Sequence, residues 1–165
     1  ADAIHANNIK RVIRALEFYH LSGKRISEHN EKEREKNSPY NFAYFVLTDD
    51  RAHLYQNIDK RVDLMIEQGL VGEVQKLKDM GFHRDMVSMQ GLGYKEILDY
   101  LDGKTTLEEA VYIIKRETRH FAKRQLTWFR REKDVIWLDK SEFNDREDQM
   151  LQKMTDVLHE KGIIQ

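Results

Sequence analysis

Cysteine is absent from the 165 residues, which excludes a disulfide framework and any thiolate metal site and fits a reducing, cytosolic compartment. Proline occurs once, at Pro39, so few positions forbid helix. No apolar run approaches membrane-spanning length and no signal-peptide pattern opens the chain, so a soluble protein with no membrane partner is expected. The seven histidines show no metal-ligand spacing with carboxylates, which argues against a metal site in this chain. There is neither a Gly-x-Ser-x-Gly elbow nor a Gly-x-x-x-x-Gly-Lys-Ser/Thr phosphate loop. An initiator methionine is also missing, and Ala1 runs straight into a helical pattern, so a processed or truncated chain is expected.

What is present suits a mostly helical domain. The hydrophobic fraction of 40% is enough for a core, and the 35% charged fraction supplies solvated helix faces. Asn7 or Asn8 is placed to cap a helix with Ile9, Val12, Ile13 and Leu16 at helical spacing, and Gly23 to end it. Residues 25–38 carry a single large aliphatic residue and meet Pro39; they read as a polar connector and the place of a domain boundary. Phe42 to Leu47 predicts a buried strand, followed by the helix start Asp49-Asp50. Leu54, Ile58, Val62, Met65 and Ile66 then mark one helix, and Val71, Val74 and Leu77 a second, making a hairpin around Gly69. Further along come a helix over Tyr94–Leu101, capping boxes at Thr105 and Thr106 for a long helix reaching about Arg131, a strand over Val135–Leu138, and a last helix using Leu151, Met154, Val157 and Leu158.

Net charge is only −1, so the distribution of charge matters more than its sum. Lys115 to Lys133 holds eight Lys or Arg against two Glu. At about 100° per residue, Arg116, Arg119, His120, Lys123, Thr127, Arg130 and Arg131 share one side of that helix. Val111, Ile114, Phe121, Ala122, Gln125, Trp128 and Phe129 take the other, which reads as the packed face. A charged helix face is commonly just solvated, but the lack of interspersed Glu from Arg119 to Arg131 favours phosphate contacts.

Two further features stand out. Arg61 falls between Ile58 and Met65, near the centre of an apolar stripe. Its residue environment is open to a salt bridge, a snorkelling side chain or a preplaced anion clamp. Gln90-Gly-Leu-Gly-Tyr-Lys95 is a loop feeding a helix N-terminus, open to a purely structural role or to one in which glycines admit a nucleic acid and Tyr94 offers a stacking surface.

Taken together, Ile4 to Glu17, Ser22-Gly-Lys, Arg61-Val-Asp-Leu-Met with Gly69-Leu, Gln90 to Glu96 and Ala122-Lys-Arg-Gln-Leu-Thr-Trp-Phe-Arg130 resemble, in order, motifs of the bacterial-type tRNA dimethylallyltransferase (tRNA isopentenyltransferase) family. The likeness covers nearly the whole chain, and the last two motifs are the most specific. Ala6 departs from the family's usual proline. The resemblance implies transfer of a dimethylallyl group from dimethylallyl diphosphate to N6 of an anticodon-loop adenosine in tRNA, with Mg²⁺ assisting.

It also implies a core related to P-loop kinases that carries a helical insertion. Residues 1–38 are then the end of that insertion with a polar connector, and residues 39–165 the C-terminal part of the core. The expected fold is mainly α with a few short strands, a partial α/β core lacking its N-terminal half, with an exposed sheet edge that invites self-association.

By the same likeness Arg61 is catalytic, stabilising the leaving diphosphate. Lys10, Arg11, Arg14, Gln90, Gly91, Gly93, Tyr94 and Lys95 touch the RNA loop, and Lys123, Arg124, Gln125, Thr127 and Arg130 contact tRNA. The ATP-type phosphate-binding loop, the general-base aspartate and most of the Mg²⁺ site belong to the other half of the family's enzymes, so this chain alone is not expected to turn over. On the residues alone, a non-catalytic helical RNA-binding module and a helical domain docking an acidic protein stay open as alternatives.

Overall fold

The computed structural model describes residues 8–35, 38–144 and 146–165. The motif start at Ile4, the alternative cap Asn7, and Lys36 and Asn37 of the expected connector lie outside them. Contacts divide the chain into two compact units, the first ending at Asn41 and the second spanning Phe42–Gln165.

The first unit is a helical pair. Helix α1, Ile9–Ser22, starts where the Asn8 side chain accepts the Arg11 N–H at 3.3 Å and stops at Gly23, whose left-handed φ of 66° lets its N–H reach the Tyr19 carbonyl. Helix α2, Ile26–Glu35, occupies most of the stretch expected to be a connector. The expectation weighed core-forming residues, which α2 lacks. It is built instead from strong helix formers (Glu, Lys, Arg), from an Arg25–Glu28 pair three apart, and from His29 set 5.1 Å from the Phe18 ring.

In the second unit, strand β1, Tyr44–Thr48, and strand β2, Val135–Asp139, form a two-stranded parallel sheet with Val46 opposite Trp137 and Leu47 opposite Leu138. Val46 and Leu138 are buried, while their cross-strand neighbours Trp137 and Leu47 are exposed. Strands apolar on both faces are typical of parallel sheets covered on both sides.

Four helices make the crossover between the strands. Asp50 caps α3, Arg51–Glu67, its carboxylate accepting from the Ala52 and His53 N–H groups at 2.9 and 3.1 Å, which holds its pKa below the usual range. Helix α4, Leu70–Asp79, follows after Gly69 at φ 101°. One 3-10 turn, Val87–Gln90, leads to α5, Tyr94–Leu101. Helix α6, Leu107–Phe129, begins in a capping box: Thr106 accepts the Glu109 N–H and Glu109 accepts the Thr106 N–H. After β2, helix α7, Glu147–Glu160, closes the unit.

The core joins Val62, Leu70, Val74, Met89, Ile97, Leu98, Ala110 and Ile114. Fully burying one such side chain contributes roughly 1.5–3 kcal/mol relative to leaving it exposed. From α6 this core, with the side chains packed against it, takes only Leu107, Ala110, Val111 and Ile114. The packed face expected for α6 therefore needs correction in its second half. Ala122, Leu126 and Phe129 are half-buried there, but Phe121, Gln125 and Trp128 are exposed. A helical wheel treats the helix as covered along its whole length, whereas the neighbouring helices cover one end of it.

Candidate nucleic-acid interface

Helix α6 carries its cations in two different settings. Lys115 Nζ lies 2.6 Å from the Asp63 carboxylate, and Arg119 donates to both Asp59 oxygens at 2.6 and 2.7 Å. Asp59 and Asp63 stand one turn apart on α3, so two matched pairs lock α3 to α6. Arg116 pairs with Glu117 at 2.9 Å and holds that carboxyl below its ordinary value. Arg119 thus sits in the helix–helix contact and not on an open cationic face. The acids were legible as an i, i+4 pair, but only the juxtaposition of the helices shows what they hold.

Beyond Arg119 the acids run out. Lys123, Arg124, Gln125, Thr127, Arg130 and Arg131 are all exposed, and these four cations make no ion pair among the described residues. Arg124 lies over the Phe121 ring at 5.8 Å from its centroid, and the Thr127 hydroxyl donates to the Lys123 carbonyl at 2.9 Å. Several cations elsewhere in the unit are paired. Lys78 and Lys104 donate to Asp102, which pushes its pKa down to about 2.

The loop Gln90 to Lys95 is anchored by buried Met89. Gly93 is buried at φ 100°, a conformation L side chains avoid. Its N–H is not open to a phosphate, because it donates to the buried Glu96 carboxylate at 2.9 Å. Tyr94 packs half-buried against the core, and its hydroxyl donates to Glu73, whose carboxylate raises the phenol's pKa. Tyr94 accordingly shapes the loop and offers less stacking surface than the residue pattern implied. Lys95 is half-buried, 3.5 Å from Glu96, while Gln90 and Gly91 are exposed. Gly91 has ordinary angles, φ −59° and ψ 149°, and a Cβ there would meet nothing closer than 3.6 Å. Nothing among the described residues requires glycine at 91.

Arg61 is exposed and makes no ion pair among the described residues. The buried residue of α3 is its neighbour Val62, with Tyr55 and Asp59 turned the same way. Val62, Met65 and Ile66 pack into the core, which leaves Arg61 at the rim of the stripe instead of its centre. The cost of a buried guanidinium does not arise. Lys10, Arg11 and Arg14 are exposed on α1, in the other compact unit.

No hydrogen bond or ion pair among the described residues joins the Gln90–Lys95 loop to Lys123–Arg130. No group of three His, Asp or Glu is placed to hold a metal ion, and no helix is long and apolar enough to cross a membrane, again among the described residues.

The second unit is a mostly helical scaffold on a parallel strand pair, and at the end of α6 Lys123, Arg124, Arg130 and Arg131 make no ion pair among the described residues. The family is set by comparison: the IPP transferase model matches residues 1–132, and the chain belongs to that family. It is 60% identical over 164 residues to a tRNA dimethylallyltransferase of Lachnoclostridium phytofermentans, covering 99% of this chain and 52% of the relative. A second tRNA dimethylallyltransferase, from Acetivibrio thermocellus, is 54% identical, with 89% of this chain and 47% of the relative covered. Among solved structures, the full-length tRNA isopentenylpyrophosphate transferase of Bacillus halodurans is 45% identical with a TM-score of 0.70, covering 98% of this chain and 49% of that one. The chain spans about half the length of the relatives it matches.

Proposed function

We propose that the chain is the C-terminal part of a tRNA dimethylallyltransferase, whose parent moves a dimethylallyl group from dimethylallyl diphosphate to N6 of an anticodon-loop adenosine. The names of the relatives support the reaction class. The observation that carries the RNA contact is the set Lys123, Arg124, Arg130 and Arg131 at the end of α6, exposed and without an ion pair among the described residues.

In this reading N6 attacks C1 of the prenyl diphosphate, the C1–O bond breaks, diphosphate leaves, and the N6 proton passes to a base in the other half of the parent. Negative charge grows on the leaving group, and Arg61, exposed and without an ion pair among the described residues, has the planar fork to receive it. The family likeness implies Mg²⁺ and a phosphate-binding, ATP-type loop. No described cluster fits the ion, so no step is assigned to it in this chain.

The parent's core is proposed to be P-loop-kinase-like, with β1 and β2 part of a larger parallel sheet. Exposed Leu47 and Trp137 on the sheet, and Ile9, Ile13 and Leu16 on α1, which has no buried residue, support a missing half that covers them. The chain alone is therefore proposed to be inactive, and the parent to work in the cytoplasm on tRNA. Lys10, Arg11, Arg14 and the Gln90–Lys95 loop are assigned to the anticodon loop, and Lys123, Arg124, Gln125, Thr127 and Arg130 to the tRNA backbone.

In the full-length protein, Arg61→Ala should slow prenyl transfer at least ten-fold, about 1.4 kcal/mol of transition-state stabilisation, while leaving tRNA affinity intact. An unchanged single-turnover rate would remove Arg61 from the site. Absence of tRNA binding by the parent at low salt would sink the RNA reading altogether.

A further inference from the structure

Phe121 and Trp128 were expected to pack, yet Phe121 is 45% and Trp128 53% exposed. Large rings left in solvent on an ordered helix call for an occupant. On α6 they continue the stripe that Ala110 and Ile114 begin: those two are buried in the helical core, and the stripe then emerges past the end of that core. The spacing of seven residues sets the rings two turns apart, about 10 Å along the axis. Trp128 is braced, not loose: its ring stands edge-on to Phe129 at 5.1 Å, and Phe129 in turn meets Tyr44 edge-on at 6.2 Å.

The border of this stripe decides what fits it. Arg124, exposed and without an ion pair among the described residues, flanks it and already lies over Phe121, while Lys123 and Arg130 stand on the other side of the helix. A protein covering the stripe would have to supply a carboxylate for Arg124. A single-stranded nucleic acid supplies both halves of the match, phosphates for the cations and π-faces for the rings. A duplex hides its base faces, so the occupant is unpaired RNA.

We propose that Trp128, with Phe121 two turns away, is a stacking platform for unpaired bases of the RNA whose phosphates the second half of α6 holds. The inference rests on the tRNA-binding reading and adds to it the residues that distinguish an open loop from a duplex. Stacking is a non-electrostatic contact, so its loss lowers affinity without changing the number of counterions released.

The test uses the full-length protein with two probes, an anticodon stem-loop RNA and a blunt RNA duplex of equal length. Trp128→Ala should weaken stem-loop binding on the order of ten-fold, leave the log–log salt slope unchanged, and leave duplex binding unchanged. Trp128→Phe should keep most of the affinity. In a Trp137→Phe background, which leaves Trp128 as the one tryptophan of this chain, the stem-loop should quench its emission and the duplex should not. An unaltered stem-loop affinity in Trp128→Ala, with binding still salt-dependent, would overturn the stacking role and leave the RNA reading standing. An unquenched Trp128 whose alanine variant instead lowers the melting temperature by several degrees would overturn it too, because the ring would then be covered by protein. Loss of all salt-dependent RNA binding by the unaltered protein would remove the underlying reading instead.

Discussion

Within one unbroken helix, α6 shows two ways of using a cation. From Leu107 to Arg119 its buried side is Ala110 and Ile114, and Lys115 and Arg119 are spent on Asp63 and Asp59 of α3. From Phe121 to Phe129 the same helix bears Lys123 and Arg124, which make no ion pair among the described residues, and the exposed rings of Phe121 and Trp128. The halves differ in acids, three Glu in the first against none in the second, and in their neighbours. The first half is structural because α3 and α5 lie against it, and the second is free for a partner because the helical core ends before it.

That contrast can be broken or sharpened by substitution. The largest effect should come from Ile114→Ala in the covered half: the side chain is fully buried, and its loss should cost about 2–5 kcal/mol in denaturant unfolding. A cost below 1 kcal/mol would mean that this half is less tightly covered than described. Arg119→Ala should cost about 1–2 kcal/mol, since it leaves the Asp59 carboxylate without its two charge-assisted hydrogen bonds, both partners being partly exposed. A double-mutant cycle with Asp59→Ala should show coupling, and a null coupling with weakened tRNA binding would move Arg119 to the open half.

The two loop glycines divide in the same way. Gly93→Ala forces a side chain into φ 100° and should destabilise by about 1 kcal/mol or more, whereas Gly91→Ala should leave the unfolding midpoint in place and lower only stem-loop affinity. Equal destabilisation by the two would show that Gly91 is also structural. Smallest in stability is Lys123→Ala, expected within about 0.5 kcal/mol of the unaltered protein. In tRNA titrations it should lower affinity at every sequence tested and reduce the salt slope by about one. An unaltered slope would return this face to simple solvation.

Much of the fold was legible from local chemistry. The Asn8, Asp50 and Thr106 caps, the strand positions and the helix stops near Gly23, Gly69 and Gly103 all depend on residues within a few positions of each other, so they can be read along the chain. Helix α2 was not, because its stability comes from propensity and charge spacing instead of an apolar stripe. Arg61 was placed on the wrong part of its helix for a related reason. Its apolar neighbours define a broad arc, and which edge of that arc is covered depends on how Val62, Met65 and Ile66 meet the other helices in the core. The loop's role was half legible: the glycines announced a turn, but the capture of the Gly93 N–H by Glu96 and of the Tyr94 hydroxyl by Glu73 needed three elements in place.

By itself the sequence determined the helical character, the ends of the elements, the cationic run and the family motifs, because propensity, capping and charge are properties of neighbouring residues. The tertiary structure alone decided which cations are neutralised and which rings stay uncovered. Ion pairing and burial depend on what another part of the chain brings within a few ångströms, and one helix can therefore be core at one end and interface at the other.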